Sequence, residues 1–400
     1  MPKINTAVEA FARIRIIGVG GAGKNATNYM MKSKVQGVEF VVINTDAQDL
    51  HHSLAKKKIH IGKNLTNGLG AGMDSDLGKR AAEETAEEIQ DMLKGSNMVF
   101  LTAGFGGGTG TGATPIIAKI AKDLGILTVA VVTKPFSFEG AKRVDIAKQG
   151  LEKLRQEVDA IIVIPNDRIL SVAPEGTTME DAFAMSDKVL KEAVEGISDL
   201  ITIPGRINVD FADILAVMSD AGSALMGVGR ATGEKRAEEA AKEAINSPLL
   251  DISITGAKGV LLSVAGGDDL TISEIQDAAK IVTESIDPDA KVIFGTSKTD
   301  KLKKGEIKVT VIATGFKDPN GNERKLFQKN FRDEKEEEMK KENKGGIFGG
   351  SSVKKDKEEK EKKEIKKEDP KPKAPKVMIP EEDEDDSWDA IPSFLKRSKK

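Results

Sequence analysis

The chain has 400 residues, no cysteine and a formal net charge of −3, with 39% apolar and 31% charged residues. Its length allows two domains with additional sequence, the lack of cysteine excludes disulfides and Cys-ligated metals, and the small net charge is atypical of nucleic-acid binding. No apolar run approaches the roughly 20 residues that span a bilayer, and the N-terminus shows no signal-peptide core, so we expect a cytoplasmic protein without a transmembrane segment.

The first half of the chain alternates strand and helix patterns. Apolar runs predict strands at residues 14–19, 39–43, 98–101, 126–132 and 160–164. Helical patterns cover residues 25–31, 76–93, 115–124 and 139–157. Near-continuous apolar strands that alternate with helices favour a Rossmann-like parallel sheet covered on both faces. We assign this first domain to residues 13–177, after an N-terminal extension at 1–12.

A long helix and a second α/β domain follow. Apolar residues keep helical spacing from 178 to 201 over more than six turns, so we expect a central connecting helix at 178–202. The second domain, at 203–316, combines predicted helices with predicted strands. The helices lie near 211–218, 234–245 and 273–286, and the strands at 260–264, 291–294 and 307–313.

The C-terminal region has a different composition. Residues 317–380 are dominated by Lys and Glu, bury too little apolar surface to order, and are expected to form a disordered linker. Apolar residues return within 381–400, after an acidic run and beside Trp388. Such a cluster at the end of a disordered tail is typical of a docking peptide.

Three glycine clusters follow predicted strands or precede predicted helices. They are centred on residues 18–23, 70–72 and 103–114. Glycine lets a ligand approach the backbone, and the following helix adds unpaired N–H groups and the positive end of its dipole. Thr109 and Thr111 add hydroxyl donors to the third cluster. These loops are suited to binding a di- or triphosphate.

The glycine pattern alone leaves the nucleotide open. Gly18, Gly20 and Gly23 fit the G-x-G-x-x-G dinucleotide fingerprint, so an NAD-dependent oxidoreductase is one alternative. A nucleotide-binding scaffold without hydrolysis is another. Several phosphate loops favour a mononucleotide, and no Walker A motif occurs, because Lys24 is followed by Asn25.

Two carboxylates form a second candidate site. Asp210 and Asp213 stand three residues apart at a predicted helix start, which places them on one helix face. The alternative is that Asp210 caps the helix, which is a common role of aspartate. The three histidines, His51, His52 and His60, show no metal-binding pattern. We therefore expect no metal site built from protein side chains.

The run Gly107-Gly108-Thr109-Gly110-Thr111-Gly112 resembles the signature loop of the tubulin and FtsZ superfamily. Residues from about 12 to 316, together with the terminal peptide, resemble the FtsZ family of bacterial cell-division GTPases. The resemblance implies a GTP-binding domain, a central helix and a C-terminal activation domain. It also implies GTP as substrate with magnesium, head-to-tail filaments, and a division ring at mid-cell on the inner face of the membrane.

The resemblance also implies roles for individual residues. Hydrolysis would need assembly, because Asn208, Asp210 and Asp213 would complete the active site of the next subunit. Lys24 stands where small residues or Asn are usual in the family. The implied nucleotide-binding residues are Gly21, Ala22, Gly23, Lys24, Asn25, Ala71, Gly72, Gly107, Gly108, Thr109, Gly110, Glu139 and Arg143 (sugar), and Asn166, Phe183 and Asp187 (guanine).

The terminal peptide carries the remaining implied contact. The resemblance assigns it to docking on membrane-tethering and regulatory division proteins, with the charged linker as a leash, and implies no nucleic-acid partner. The residues concerned are Asp389, Ile391, Pro392, Phe394 and Leu395.

Overall fold

The computed structural model describes residues 12–203, 205–247, 254–299 and 302–316. The predicted N-terminal extension (apart from residue 12), linker and docking peptide lie outside the described residues. Among the described helices, none has the length and apolar character needed to cross a membrane.

Within these ranges the chain forms ten strands and twelve α-helices. The strands are β1 Ile14–Val19, β2 Val38–Asn44, β3 Lys57–His60, β4 Met98–Gly104, β5 Leu127–Lys134, β6 Ala160–Pro165, β7 Gly222–Thr232, β8 Gly259–Gly266, β9 Lys291–Lys298 and β10 Glu306–Thr314. The helices are α1 Gly20–Lys32, α2 Ala47–His51, α3 Lys63–Thr66, α4 Ser75–Glu84, α5 Ala86–Leu93, α6 Thr109–Asp123, α7 Ala141–Glu157, α8 Asn166–Val172, α9 Met179–Thr202, α10 Phe211–Met218, α11 Arg236–Ile245 and α12 Ile272–Thr283.

The strands lie in one sheet, in the order β3-β2-β1-β4-β5-β6-β7-β10-β8-β9. Neighbours from β3 to β7 run parallel, whereas β10 is antiparallel to both β7 and β8. The register aligns Val19 with Ile43 and Ala103, so β1, β2 and β4 end at the same level. We call this side of the parallel strands the carboxyl edge and the opposite side the amino edge. The mixed α/β architecture confirms the expected fold class.

Strand β7 was not predicted, yet it joins the two halves of the sheet. It pairs with β6 through Gly222–Ala224 and with β10 through residues 225–232. Gly227 and Gly229 face α11 so closely that a β-carbon on either would overlap a backbone carbonyl oxygen of that helix. Glycine weakens a strand pattern in sequence, but here it is required by the close approach of helix and sheet.

Apolar side chains of the parallel strands alternate between two covered faces. Ile16 and Phe100 belong to a buried cluster with Ala193 and Ile197 of α9. Their neighbours Ile17, Val99 and Leu101 belong to a second cluster, with residues of α4 to α7. A third cluster packs α11 and α12 against β8 and β10. Burial on both faces explains why these strands read as near-continuous apolar runs.

The predicted central helix is confirmed as α9, within a residue at each end. The Thr178 hydroxyl accepts the backbone N–H of Asp181 and begins it. Near its start, the Ser186 hydroxyl donates to Asn166 Oδ1 at the carboxyl edge (3.2 Å). Its last residue, Thr202, packs against the glycine that precedes β2, at the amino edge. With 24 residues it is about 36 Å long and so links the two edges.

Candidate functional site

Helix α1 begins directly after β1, inside the first glycine loop. Val19 is the N-cap residue and supplies no side-chain hydrogen bond, so the first N–H groups of α1 have no side-chain cap. Gly20 has φ of 71°, and a β-carbon on Gly18 would collide with the carbonyl oxygen of Gly23. The helix start predicted near Asn25 was wrong, because glycines of low helix propensity form the first turn.

Helix α6 likewise begins inside the central glycine loop. It starts at Thr109, whereas the sequence pattern placed its start at Pro115, which lies within the helix. Gly108 is its N-cap and again supplies no side-chain hydrogen bond. A β-carbon on Gly112 would overlap the carbonyl oxygen of Ser75 in α4. Gly112, which the sequence pattern assigned to the loop, therefore allows α4 and α6 to pack closely.

The three glycine loops contact one another at the carboxyl edge. The Gly108 N–H donates to the Gly72 carbonyl oxygen (2.8 Å), and a β-carbon on Gly20 would lie 3.1 Å from the backbone nitrogen of Gly110. Two uncapped helix N-termini thus meet on one surface, which suits a polyphosphate. The loops that meet here contain the predicted residues Gly21, Ala22, Gly23, Ala71, Gly72, Gly107, Gly108, Thr109 and Gly110, and Asn25 follows in the second turn of α1.

Thr45, in the loop after β2, makes contacts that the sequence interpretation missed. Its hydroxyl shares a 2.6 Å hydrogen bond with the hydroxyl of Thr109. Its carbonyl oxygen accepts from His60 Nε2 and Thr66 Oγ1, both at 3.2 Å. Its position in the sequence could have indicated these contacts, because Thr45 follows a strand that ends at the same edge as β1 and β4.

The ammonium group of Lys24 forms an ion pair with Asp49 of α2. The Lys24 side chain is only 12% exposed. The other carboxylate oxygen of Asp49 accepts a 2.8 Å hydrogen bond from Asn44 Nδ2. Lys24 was predicted to bind nucleotide. In the structure its ammonium group pairs with a carboxylate of the same chain.

Glu139 and Arg143, the predicted sugar contacts, lie beside each other after β5. Glu139 ends a short 3₁₀ turn, Ser137–Glu139, and Arg143 lies in the first turn of α7. Arg143 Nη1 donates to Glu139 Oε2 at 3.1 Å, while Glu139 Oε1 accepts the Phe136 N–H at 3.0 Å. The Glu139 side chain is therefore held by a backbone hydrogen bond and by the ion pair with Arg143.

The predicted guanine-pocket residues gather where β6 meets α9. Asn166 is buried at the start of α8 and accepts the Ser186 hydroxyl bond described above. Phe183 is 41% exposed and packs edge-on against Phe136, with ring centroids 5.2 Å apart. Burial raises the pKa of Asp187 to about 7. Among the described residues none donates a hydrogen bond to this carboxylate, so both of its oxygens can accept hydrogen bonds from another molecule.

Asn208, Asp210 and Asp213 are not part of this cluster. They follow α9, whose last residue lies at the amino edge. They are therefore on the opposite side of the sheet from the glycine loops. Asp210 caps α10 by accepting the Asp213 N–H at 3.1 Å, and Asn208 Oδ1 accepts the Gly205 N–H at 2.7 Å. Both aspartate side chains are exposed. Capping and an exposed carboxylate pair are thus both present.

Comparison with known proteins supports the resemblance. The chain matches the family model of the Tubulin/FtsZ family, GTPase domain, over residues 13–174, and that of the FtsZ family, C-terminal domain, over 222–317. An empty FtsZ dimer from M. jannaschii is 46% identical, with a TM-score of 0.73 over 76% of this chain and 88% of that chain.

More distant structures share the fold. The GTPgS-bound protofilament of CetZ2 from Haloferax volcanii is 23% identical, with a TM-score of 0.64 over 83% of this chain and 99% of that chain. The GDP-bound monomer of CetZ1 from the same organism is 22% identical, with a TM-score of 0.66 over 76% and 94%. Because both family models match in order and the identity to a solved FtsZ is 46%, the chain belongs to the FtsZ family of tubulin-like GTPases.

Proposed function

We propose that this protein is a self-assembling GTPase that hydrolyses GTP between head-to-tail subunits and builds the division ring. The observation that carries the proposal is the separation of its two candidate sites. The glycine loops occupy the carboxyl edge, and Asp210 and Asp213 occupy the amino edge of the same sheet. Stacking a second copy end to end brings the two sites together, and a contact of this kind extends into a filament.

The glycine loops would hold the phosphates. Backbone N–H groups at the starts of α1 and α6 point along two helix dipoles, and Thr109 adds a hydroxyl. Magnesium would arrive with the nucleotide, because this ion binds phosphate oxygens and keeps several waters rather than requiring a dedicated protein cage. Glu139 and Arg143 would contact the sugar. The match to a GTPase domain favours this ligand over a nicotinamide dinucleotide.

Asp187 would select guanine. Guanine presents two N–H donors on one edge, whereas adenine does not, and an unpartnered carboxylate can accept both. Phe183 would cover the base, and the buried Asn166 would fix the polar side of the pocket. The raised pKa of Asp187 supports this role, since such shifts are frequent at functional sites.

The amino edge of the next subunit would supply the water-activating groups. Asp210 and Asp213 would orient and polarise the attacking water, and Asn208 would hold the loop. Apolar side chains are exposed at both ends: Leu69 at 86% and Phe138 at 58% near the glycine loops, and Ile207 at 44% beside Asn208. Exposed apolar surface at two opposite ends is expected of a repeating contact.

The terminal peptide would connect the filament to the membrane. Asp389, Ile391, Pro392, Phe394 and Leu395 would bind membrane-tethering division proteins, and the charged segment 317–380 would act as a spacer.

The dependence of GTPase activity on protein concentration tests the proposal. A shared site predicts almost no turnover below a threshold concentration and a linear rise above it. Asp213→Ala should still bind GTP and pellet with it, but turn over at least tenfold more slowly. Asp220→Asn, which neutralises another exposed carboxylate of the same region, should behave as wild type. Turnover per molecule that does not change with dilution would reject the shared site.

A further inference from the structure

Lys24 directly follows the first glycine loop, and its charge is paired within the chain. Lys24 lies in the second turn of α1, and its ammonium is paired with Asp49. The side chains are 12% and 28% exposed, so the pair is largely withdrawn from water. Two opposite charges that are largely withdrawn from water attract each other more strongly than the same charges on a solvent-exposed surface.

Asp49 is held from three directions. One oxygen binds Lys24, the other accepts from Asn44 Nδ2 at 2.8 Å, and its backbone N–H donates to Asp46 Oδ1 at 2.9 Å. The Asp49 carboxylate lies 3.6 Å from the position that a β-carbon on Gly21 would occupy. A fixed negative group therefore adjoins the loop proposed to hold the phosphates.

We propose that Lys24 and Asp49 form a neutral positioning pair that weakens and tunes the binding of the nucleotide's phosphates, so that Lys24 is not itself a phosphate ligand. This inference rests on the proposed function. Asp49 holds back an ammonium that would otherwise bind polyphosphate directly, as lysines in phosphate loops do. Lys24 in turn cancels a carboxylate that would repel the same phosphates.

The two halves of the pair therefore have opposite effects. Asp49→Asn keeps the shape and frees the ammonium, so it should tighten binding of GDP at least fivefold. Lys24→Gln leaves the carboxylate unpaired beside the phosphates and should weaken binding at least tenfold. The double variant should return to within about threefold of wild type, because both charges are gone. Dissociation constants of the full-length protein for fluorescent GDP, measured at low protein concentration, give these values.

Two controls separate charge from structure. Guanosine has no phosphates, so its affinity, measured by competition, should be the same in all variants that are folded. Lys32→Gln removes an exposed lysine from the last turn of the same helix and should leave GDP affinity unchanged.

The outcomes are distinct. Weakening by both single variants, or an unchanged affinity in Lys24→Gln, overturns the inference. A parallel loss of guanosine binding shows a structural role and also overturns it. If wild-type protein binds no guanine nucleotide, the proposed function fails instead.

Discussion

At the scale of single residues, Asp187 and Lys24 show how environment decides the role of a charge. Both were placed in the nucleotide site by resemblance. Lys24 has a partner in Asp49, whereas burial raises the pKa of Asp187 to about 7 and no described donor offsets it. Lys24 is thus neutralised by a residue of the same chain. Asp187 has no such partner, which agrees with its proposed role of accepting hydrogen bonds from a ligand.

The pH dependence of GDP binding should reveal the protonation of Asp187. In the proposed guanine contact the N–H donors favour the carboxylate, so binding would remove the proton that Asp187 carries in the free protein below pH 7. We expect affinity to rise by up to about tenfold per pH unit below pH 7 and to level off above it. Asp187→Asn should bind weakly and without this slope, as calorimetry from pH 5.5 to 8.5 can determine. An equal slope in the variant would assign it to another group.

At the scale of elements, some glycines allow close packing of helices and others form loops. The residues before and within α6 illustrate both uses. Gly107 has no atom within 4 Å of its β-carbon position, while that of Gly112 is already filled by the Ser75 carbonyl oxygen. The first position has room for a side chain, and the second sets the distance between α4 and α6.

Alanine at these two positions should therefore have unequal effects. Gly112→Ala must push α6 away from α4 and should lower the free energy of unfolding by about 1–3 kcal/mol or more. Gly107→Ala should change it by less than about 0.5 kcal/mol. Urea denaturation of both variants provides the comparison. Equal losses would show that the α4–α6 contact does not depend on the missing β-carbon.

A charged cluster joins α11 and α12 in the second half. The Arg236 guanidinium lies 2.6 Å from both Asp269 and Glu274, and its side chain is 8% exposed. Hydrogen bonds from Arg236 lower the pKa of Glu274 to about 2 and lower that of Asp269. The stabilisation is therefore present above the ordinary carboxyl pKa and is lost as the pH falls towards 2.

Arg236→Ala should destabilise the protein by about 1–3 kcal/mol at pH 7, since it removes the hydrogen-bond donor of the Glu274 carboxylate, whose side chain is 18% exposed. The difference from wild type should shrink between pH 4 and pH 2. Lys242→Ala, which removes an exposed pair with Glu238, should cost less than about 0.5 kcal/mol. Thermal or urea unfolding across this pH range measures both. A difference that stays constant with pH would indicate lost packing rather than lost charge.

At the scale of the whole molecule, the sheet separates the two candidate sites and α9 spans the distance between them. Its start carries Phe183 and Asp187 at the carboxyl edge, and its end leads to Asp210 and Asp213 at the amino edge. A single copy thus presents complementary halves of one proposed site at opposite ends.

Mixing two variants that are each impaired in a different half of the proposed site should restore activity. In a filament of Asp213→Ala and Asp187→Ala, one type of contact joins an intact pocket to intact carboxylates. We expect phosphate release on the order of a quarter of the wild-type rate in an equal mixture. Asp213→Ala mixed with Asp210→Ala should not recover, because both changes affect the same half. Absence of any gain in the first mixture would place both halves in one subunit.

Local sequence patterns were enough to predict the alternation of strands and helices, the central helix, the glycine loops and the family. These follow from local apolar periodicity and from motifs that are continuous in the chain. Tertiary structure decided what depends on distant neighbours: that Gly112 packs against Ser75, that Gly227 and Gly229 form a strand, and that Lys24 meets Asp49. Contacts between segments far apart in sequence leave no local pattern. The physical reason is that backbone proximity and charge pairing are set by packing.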